Sequence, residues 1–176
     1  MKKVEKVILV NENDQSIGEM EKLQVHKEGK LHRAFSIFIF NDKGEMLLQQ
    51  RANNKYHSGS LWSNACCSHP SPNDETIISA KRRLKEELGF ETELSPAFTF
   101  IYNTPVGKNL TEHEFDHVFV GKHTGAINPN PQEVKNYRYL PMEQIRQIII
   151  KQPHQFTTWF KIAFPLIEAW IEKNKI

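Results

Sequence analysis

The segment spanning residues 32–40, His-Arg-Ala-Phe-Ser-Ile-Phe-Ile-Phe, does most to constrain the fold. Isoleucine and phenylalanine pack well on a pleated surface, so this run reads as a strand. Asn41-Asp42-Lys43-Gly44 follows it as a turn, and residues 45–51 return as the partner strand of a hairpin. A sheet is therefore the scaffold. Further strands are read at 4–10, 90–94, 97–103, 110–122 and 136–140. Three helices are read. The first has Asn73 or Asp74 as N-cap and Gly89 just past its end. The second covers 142–151, and the third covers 157–173 with a kink or break at Pro165. Residues 11–18, 53–60, 104–109 and 125–131 read as turns or loops, and the polar stretch 19–31 gives no clear pattern. Mostly strands with three helices means an α+β or mixed α/β chain. At 176 residues, 1–176 forms one domain with a sizeable core of its own.

Composition removes several function classes. A formal net charge of +2 is too small to argue for nucleic acid. Basic residues nevertheless gather at Lys81-Arg82-Arg83 and around Arg51 and Lys55, which suits a small anionic ligand. No apolar run approaches the roughly 20 residues of a membrane span, and the N-terminus lacks a signal-peptide pattern. The two cysteines, Cys66 and Cys67, are adjacent and make no disulfide framework. A reducing cytoplasm is the expected location.

Four constellations carry possible chemistry. Cys66-Cys67-Ser68-His69 sets thiols beside an imidazole, a pattern open to covalent, acid–base or metal chemistry, or to simple burial. In Thr111-Glu112-His113-Glu114-Phe115-Asp116-His117, strand alternation puts Glu112, Glu114 and Asp116 on one face. That face is either solvated or a metal-binding and proton-transferring carboxylate set. His26, His32 and His69 with Glu112 and Glu114 would make a set suited to Zn²⁺, Mn²⁺ or Fe²⁺. His57, His113, His117, His123 and His154 compete for such a role. Arg82 and Arg83 stand one turn before Glu86 and Glu87, as a salt-bridged helix face or as a diphosphate and Mg²⁺ site. Phe35, Trp62, Tyr102 and Trp159 read first as core, although an aromatic face can also stabilise a cation.

These motifs together resemble the type I isopentenyl-diphosphate Δ-isomerase family, which has the Nudix fold. The resemblance runs from Val7 to about Trp170 and rests on four segments. They are Lys22 with His26 and Leu31-His32-Arg33-Ala34-Phe35-Ser36; Trp62-Ser63-Asn64-Ala65-Cys66-Cys67-Ser68-His69-Pro70; the helix from Arg82 to Gly89; and Glu112-His113-Glu114. The resemblance implies a single-domain α/β/α sandwich with a mixed sheet. It implies that Cys67, Glu114 and Tyr102 are catalytic, and that Lys22, Arg51, Lys55 and Arg83 hold a diphosphate, with Trp159 over an allylic cation. It implies Mn²⁺ or Zn²⁺ on His26, His32, His69, Glu112 and Glu114, and Mg²⁺ on Glu87 and the Cys67 carbonyl. Ser68 departs from the glycine often found in the signature. Arg82-Arg83 departs from the Arg-Glu of Nudix hydrolases.

The expected activity is interconversion of isopentenyl and dimethylallyl diphosphate, with Cys67 and Glu114 on opposite faces of a narrow pocket. The expected partner is the small diphosphate substrate, with neither nucleic acid nor membrane. A monomer is expected, a dimer being the alternative. A Nudix hydrolase of a nucleoside or other diphosphate is the competing enzyme reading, and a non-catalytic metal- or ligand-binding module is the third.

Overall fold

A computed structural model of the chain describes residues 5–55, 57–107 and 109–174. The strand at His32–Phe40, here β3, lies in a sheet that holds nine strands among the described residues. In chain order the others are β1 (Lys6–Val10), β2 (Ser16–Glu21), β4 (Met46–Arg51), β5 (Trp62–Asn64), β6 (Cys66–Ser68), β7 (Leu94–Gly107), β8 (Leu110–Lys122) and β9 (Val134–Leu140). The helices are α1 (Lys22–Glu28), α2 (Thr76–Leu88), α3 (Met142–Lys151) and α4 (Thr158–Asn174).

Alternation along β3 feeds two cores. Phe35, Ile37 and Ile39 pack with Ala80, Leu84 and Leu88 of α2. Phe38 and Phe40 pack with Ile145 of α3 and with Phe160, Ala163, Phe164 and Ile167 of α4. The sheet is thus covered on both faces, as an α/β/α sandwich. Each fully buried leucine or phenylalanine contributes about 1.5–3 kcal/mol of transfer free energy.

The order of strands around β3 positions the site. β3 pairs with β6 antiparallel, bringing Ser36 opposite Cys67. It pairs with β8 parallel, bringing His32 opposite Glu114. Cys67 and Glu114 therefore arrive from the two strands that flank β3. Gly89 closes α2 in the left-handed region at φ 74°, donating its N–H to the Lys85 carbonyl. A Cβ there would stand 2.3 Å from the Asn128 carbonyl oxygen, so glycine alone allows the 125–131 loop to seat against the helix end.

Several elements differ from the sequence expectations. Residues 19–31 hold the end of β2 and all of α1, so His26 lies on a helix rather than in a loop. Among the described residues the α-helices therefore number four rather than three. Residues 90–93 are not a strand, and the two strands expected at 90–103 are one, β7, beginning at Leu94. Pro96 sits where the β7–β8 register shifts, so a bulge absorbs the missing N–H. The turn expected at 104–109 is strand as far as Gly107. The N-cap of α2 is Glu75, whose side chain makes no capping bond. Asp74 instead accepts from Ser79 Oγ at 3.0 Å and Arg82 Nη1 at 2.6 Å. α4 runs through Pro165 without ending. Of the strand expected at 4–10, Val4 lies outside the described residues.

Candidate active site

Glu112, Glu114 and Asp116 point inward from β8 and are all buried. The solvated-face alternative is thereby removed. Their face of the sheet is the one covered by α4, where Trp159 and Tyr102 are also buried.

The deepest part of the site is a cluster of donor atoms. One ligand atom from each of His26, His32, His69 and Glu114 lies within 4.8 Å of the others. α1 carries His26 into the cluster, and Gly29 closes the helix before the chain enters β3. His69 Nε2 stands 3.0 Å from Glu114 Oε1 and 3.2 Å from His32 Nε2. His32 Nδ1 is bonded to the Lys30 carbonyl at 2.8 Å, so Nδ1 carries the proton and Nε2 presents a lone pair inward. Burial and the neighbouring imidazoles lower His26 to about 3. Burial also lowers His69, although its bond to Glu114 works the other way. Three imidazoles and a carboxylate whose ligand atoms converge are the donor set that a borderline divalent cation requires. The residues present therefore fit Mn²⁺ or Zn²⁺.

Glu112 lies beside that cluster rather than within it. Tyr102 joins the two carboxylates: its hydroxyl donates to Glu114 Oε2 at 2.6 Å and stands 3.1 Å from Glu112 Oε2. Burial, and then the Glu114 charge, push Glu112 well above the usual carboxylate range. Burial also opposes charge on Glu114, but the adjoining His32 and His69 imidazoles outweigh it and hold Glu114 well below that range. The pair thus shares one negative charge, placed on Glu114. Burial and the two carboxylates raise the Tyr102 phenol well above its ordinary value, so it remains a donor.

Cys67 is half-buried on the same face of the sheet as this pair, two strands from Glu114, and Cys66 is fully buried against α2. Cys67, with Glu112, Glu114, Tyr102 and Trp159, lines a cavity of about 480 Å³, and Cys66 does not. Burial and the charge of Asp116 raise the Cys67 thiol, so it rests protonated.

The mouth of the cavity is cationic. Lys22, Arg51, Lys55 and Arg83 all line it. Three of them hold carboxylates: Lys22 with Glu5 at 3.0 Å, Lys55 with Glu133, and Arg83 with Glu86 at 2.6 Å and Glu87 at 2.8 Å. Arg51 lies over the Trp159 ring, 5.0 Å from its centre. Buried Nε atoms on Arg51 and Arg83 have no hydrogen-bond partner among the described residues, which leaves donors for an incoming anion. Glu87 is buried and also accepts from Gln49 Nε2 at 2.9 Å.

Sequence reasoning missed several lining residues. His57, treated as a competitor without a role, is buried in the cavity wall. Its Nε2 stands 3.6 Å from Glu112 Oε1 and its ring meets Trp159 edge-on at 5.9 Å. Burial lowers its pKa to about 4. Glu133 reaches the mouth from the loop before β9, and Ser36 reaches the floor from β3. Only Ser36 carried a signal, its even spacing from His32 along the strand.

The chain is a mixed sheet between helices with a cationic cleft, and the NUDIX domain family matches residues 30–160. The fold is also similar to a solved Deinococcus radiodurans protein. That likeness has a TM-score of 0.70 and 18% identity over 84% of this chain and 90% of the other. A solved MutT protein from Methanosarcina mazei Go1 gives a TM-score of 0.66 and 19% identity over 83% and 96%. Nearer in sequence, the isopentenyl-diphosphate Delta-isomerase of Pectobacterium atrosepticum is 48% identical over 96% of this chain and 94% of its own length. The corresponding protein of Burkholderia multivorans is 42% identical over 96% and 99%. The chain belongs to the isopentenyl-diphosphate Delta-isomerase family of NUDIX-domain proteins.

Proposed function

We propose that the chain interconverts isopentenyl diphosphate and dimethylallyl diphosphate. The observation that carries this reading is the meeting of two proton-exchanging groups, Cys67 and the Glu114–Tyr102 pair, in one cavity with a cationic mouth. An alkene is a weak base, so protonating it needs an oriented acid and shelter for the cation formed. One of the two groups delivers a proton to the terminal alkene carbon, and the other removes one from the carbon on the far side of the cation. In the reverse direction they exchange roles. Trp159 lines the cavity and gives the cation an aromatic face free of water. The diphosphate is remote from the reacting carbons. Lys22, Arg51, Lys55 and Arg83 bind it, and that binding energy holds the short hydrocarbon in place.

Mn²⁺ or Zn²⁺ would be held by His26, His32, His69 and Glu114, with Glu112 beside them, and would tune the acidity of Glu114. Mg²⁺ would be held by Glu87 and the Cys67 carbonyl and would neutralise diphosphate oxygens. Two adjacent free cysteines fit a reducing compartment, and we place the protein in the cytoplasm. Among the described residues no helix is long and apolar enough to cross a membrane.

A diphosphate hydrolase is the weaker reading. Arg83 stands among Glu86, Glu87 and Glu133, where a hydrolase would need a further carboxylate for its metal cluster. The test is a direct comparison of substrates. Conversion of isopentenyl diphosphate without phosphate release supports the isomerase; phosphate release from nucleoside diphosphate derivatives without isomerisation overturns it.

A further inference from the structure

The Cys67 sulfur is held from both sides by residues that the reaction scheme leaves unused. On one side is Asn64, fully buried at the end of β5. Its Nδ2 donates to the Ile37 carbonyl and to the Cys66 carbonyl, both at 3.0 Å. Both amide hydrogens are thus committed to backbone, and Oδ1 is fixed toward the thiol, which donates to it at 3.0 Å. On the other side is Ser36, whose Oγ lies 3.4 Å from the sulfur. Ser36 stands directly across from Cys67 in the β3–β6 ladder, so its position is set by backbone pairing.

Ser36 is itself committed. Its hydroxyl donates to Asp116 Oδ2 at 2.7 Å. A hydroxyl has one proton, so Ser36 turns a lone pair to the sulfur and is, at 3.4 Å, a second acceptor for the single thiol proton that Asn64 Oδ1 accepts at 3.0 Å. Asp116 is 2% exposed, and its second oxygen, Oδ1, is buried without a hydrogen-bond partner among the described residues. Burying a carboxyl group with an unsatisfied oxygen costs stability. A hydrophobic residue would fill this position beside Val118 at lower cost, so packing alone does not account for Asp116.

We propose that Ser36 and Asp116, acting with Asn64, are positioning residues that fix the rotamer and the hydrogen-bond direction of the Cys67 thiol. Asp116 orients the Ser36 hydroxyl, Ser36 and Asn64 bracket the sulfur, and the remaining side of the sulfur is the cavity. None of the three needs to touch substrate. The proposal rests on Cys67 being a reacting group.

The experiment is steady-state kinetics on metal-loaded Ser36→Ala, Asp116→Asn, the double variant and Cys67→Ala, with melting temperatures alongside. Asn at 116 keeps the shape but can donate to Ser36, which then turns its own proton to the sulfur. Each single variant is expected to lose at least about 10-fold in kcat, with KM for isopentenyl diphosphate within about twofold of wild type. The double variant is expected to fall no further than the worse single one, because both act through the same sulfur. Wild-type kcat in Ser36→Ala, a fully additive double variant, or a loss confined to KM or melting temperature would overturn the proposal. If Asp116→Asn does not fold, Ser36→Ala alone decides. An inactive Cys67→Ala beside a fully active Ser36→Ala removes only the positioning role; a fully active Cys67→Ala removes the role of Cys67 as well.

Discussion

The Tyr102 hydroxyl lies 2.6 Å from Glu114 Oε2 and 3.1 Å from Glu112 Oε2, so a single phenol bridges two buried carboxyl groups. The bridge is possible because β7 and β8 pair with Tyr102 opposite Glu114. Tyr102→Phe removes the donor and keeps the ring. We expect kcat to fall by about 10²-fold or more while KM changes little, since the diphosphate contacts are elsewhere. Steady-state kinetics check this, and a rise in KM with unchanged kcat would place Tyr102 in substrate binding instead.

The histidine cluster predicts a metal-dependent stability. Three imidazole nitrogens and a carboxylate oxygen converge, and His32 turns its Nε2 into the cluster. A cation bound there at about 1,000 times its dissociation constant would stabilise the fold by about 4 kcal/mol. Chelation should therefore lower the melting temperature as well as abolish turnover. Thermal unfolding with and without a chelator, run beside elemental analysis, measures both; His69→Ala should lose the metal and the chelator-sensitive part of the melting temperature together.

Arg83 predicts a binding phenotype. Its guanidinium already spans Glu86 and Glu87 and keeps a buried nitrogen available. A hydrogen bond to a charged group contributes about 1.5–3 kcal/mol, so Arg83→Ala should raise KM roughly 10- to 100-fold. Arg83→Lys should recover only part of this, because a lysine cannot offer two parallel donors. Initial-rate measurements over a range of isopentenyl diphosphate concentrations distinguish the three proteins.

A second prediction of stability concerns a pair outside the cavity. His117 Nε2 meets Asp14 Oδ2 at 2.9 Å, and Asp14 also accepts from Arg33 Nε at 2.7 Å. Burial lowers the His117 pKa, with Asp14 working against that shift. A histidine whose folded pKa is depressed leaves stability intact above its unfolded value near 6.5 and loses it as pH falls through the folded value. Wild type should therefore lose more stability between pH 7.5 and pH 5 than His117→Gln does. Urea unfolding at the two pH values reads the difference, and an equal or greater loss in the variant would contradict it.

The sequence made the sheet legible through β3 and its hairpin, because phenylalanine and isoleucine at every second position have one good arrangement. It also made legible that Glu112, Glu114 and Asp116 share a face. It could not say that the face is buried, since that depends on α4, forty residues onward, folding back with Trp159. α1 was hidden for a local reason: it is short, polar on most positions, and has no side-chain N-cap. His57 was hidden because a loop position has no periodicity to read, and Glu133 for the same reason. The cysteine signature forms two short strands, β5 and β6, whose pairing with β4 and β3 is set by distant sequence.

The account stands most directly on proton exchange at carbon. Isopentenyl diphosphate incubated with the metal-loaded protein in heavy water should return with deuterium in both isopentenyl and dimethylallyl diphosphate, read by mass spectrometry and NMR. Cys67→Ala, folded and metal-loaded, should give neither deuterium uptake nor conversion. Release of inorganic phosphate with a carbon skeleton free of deuterium would contradict the account.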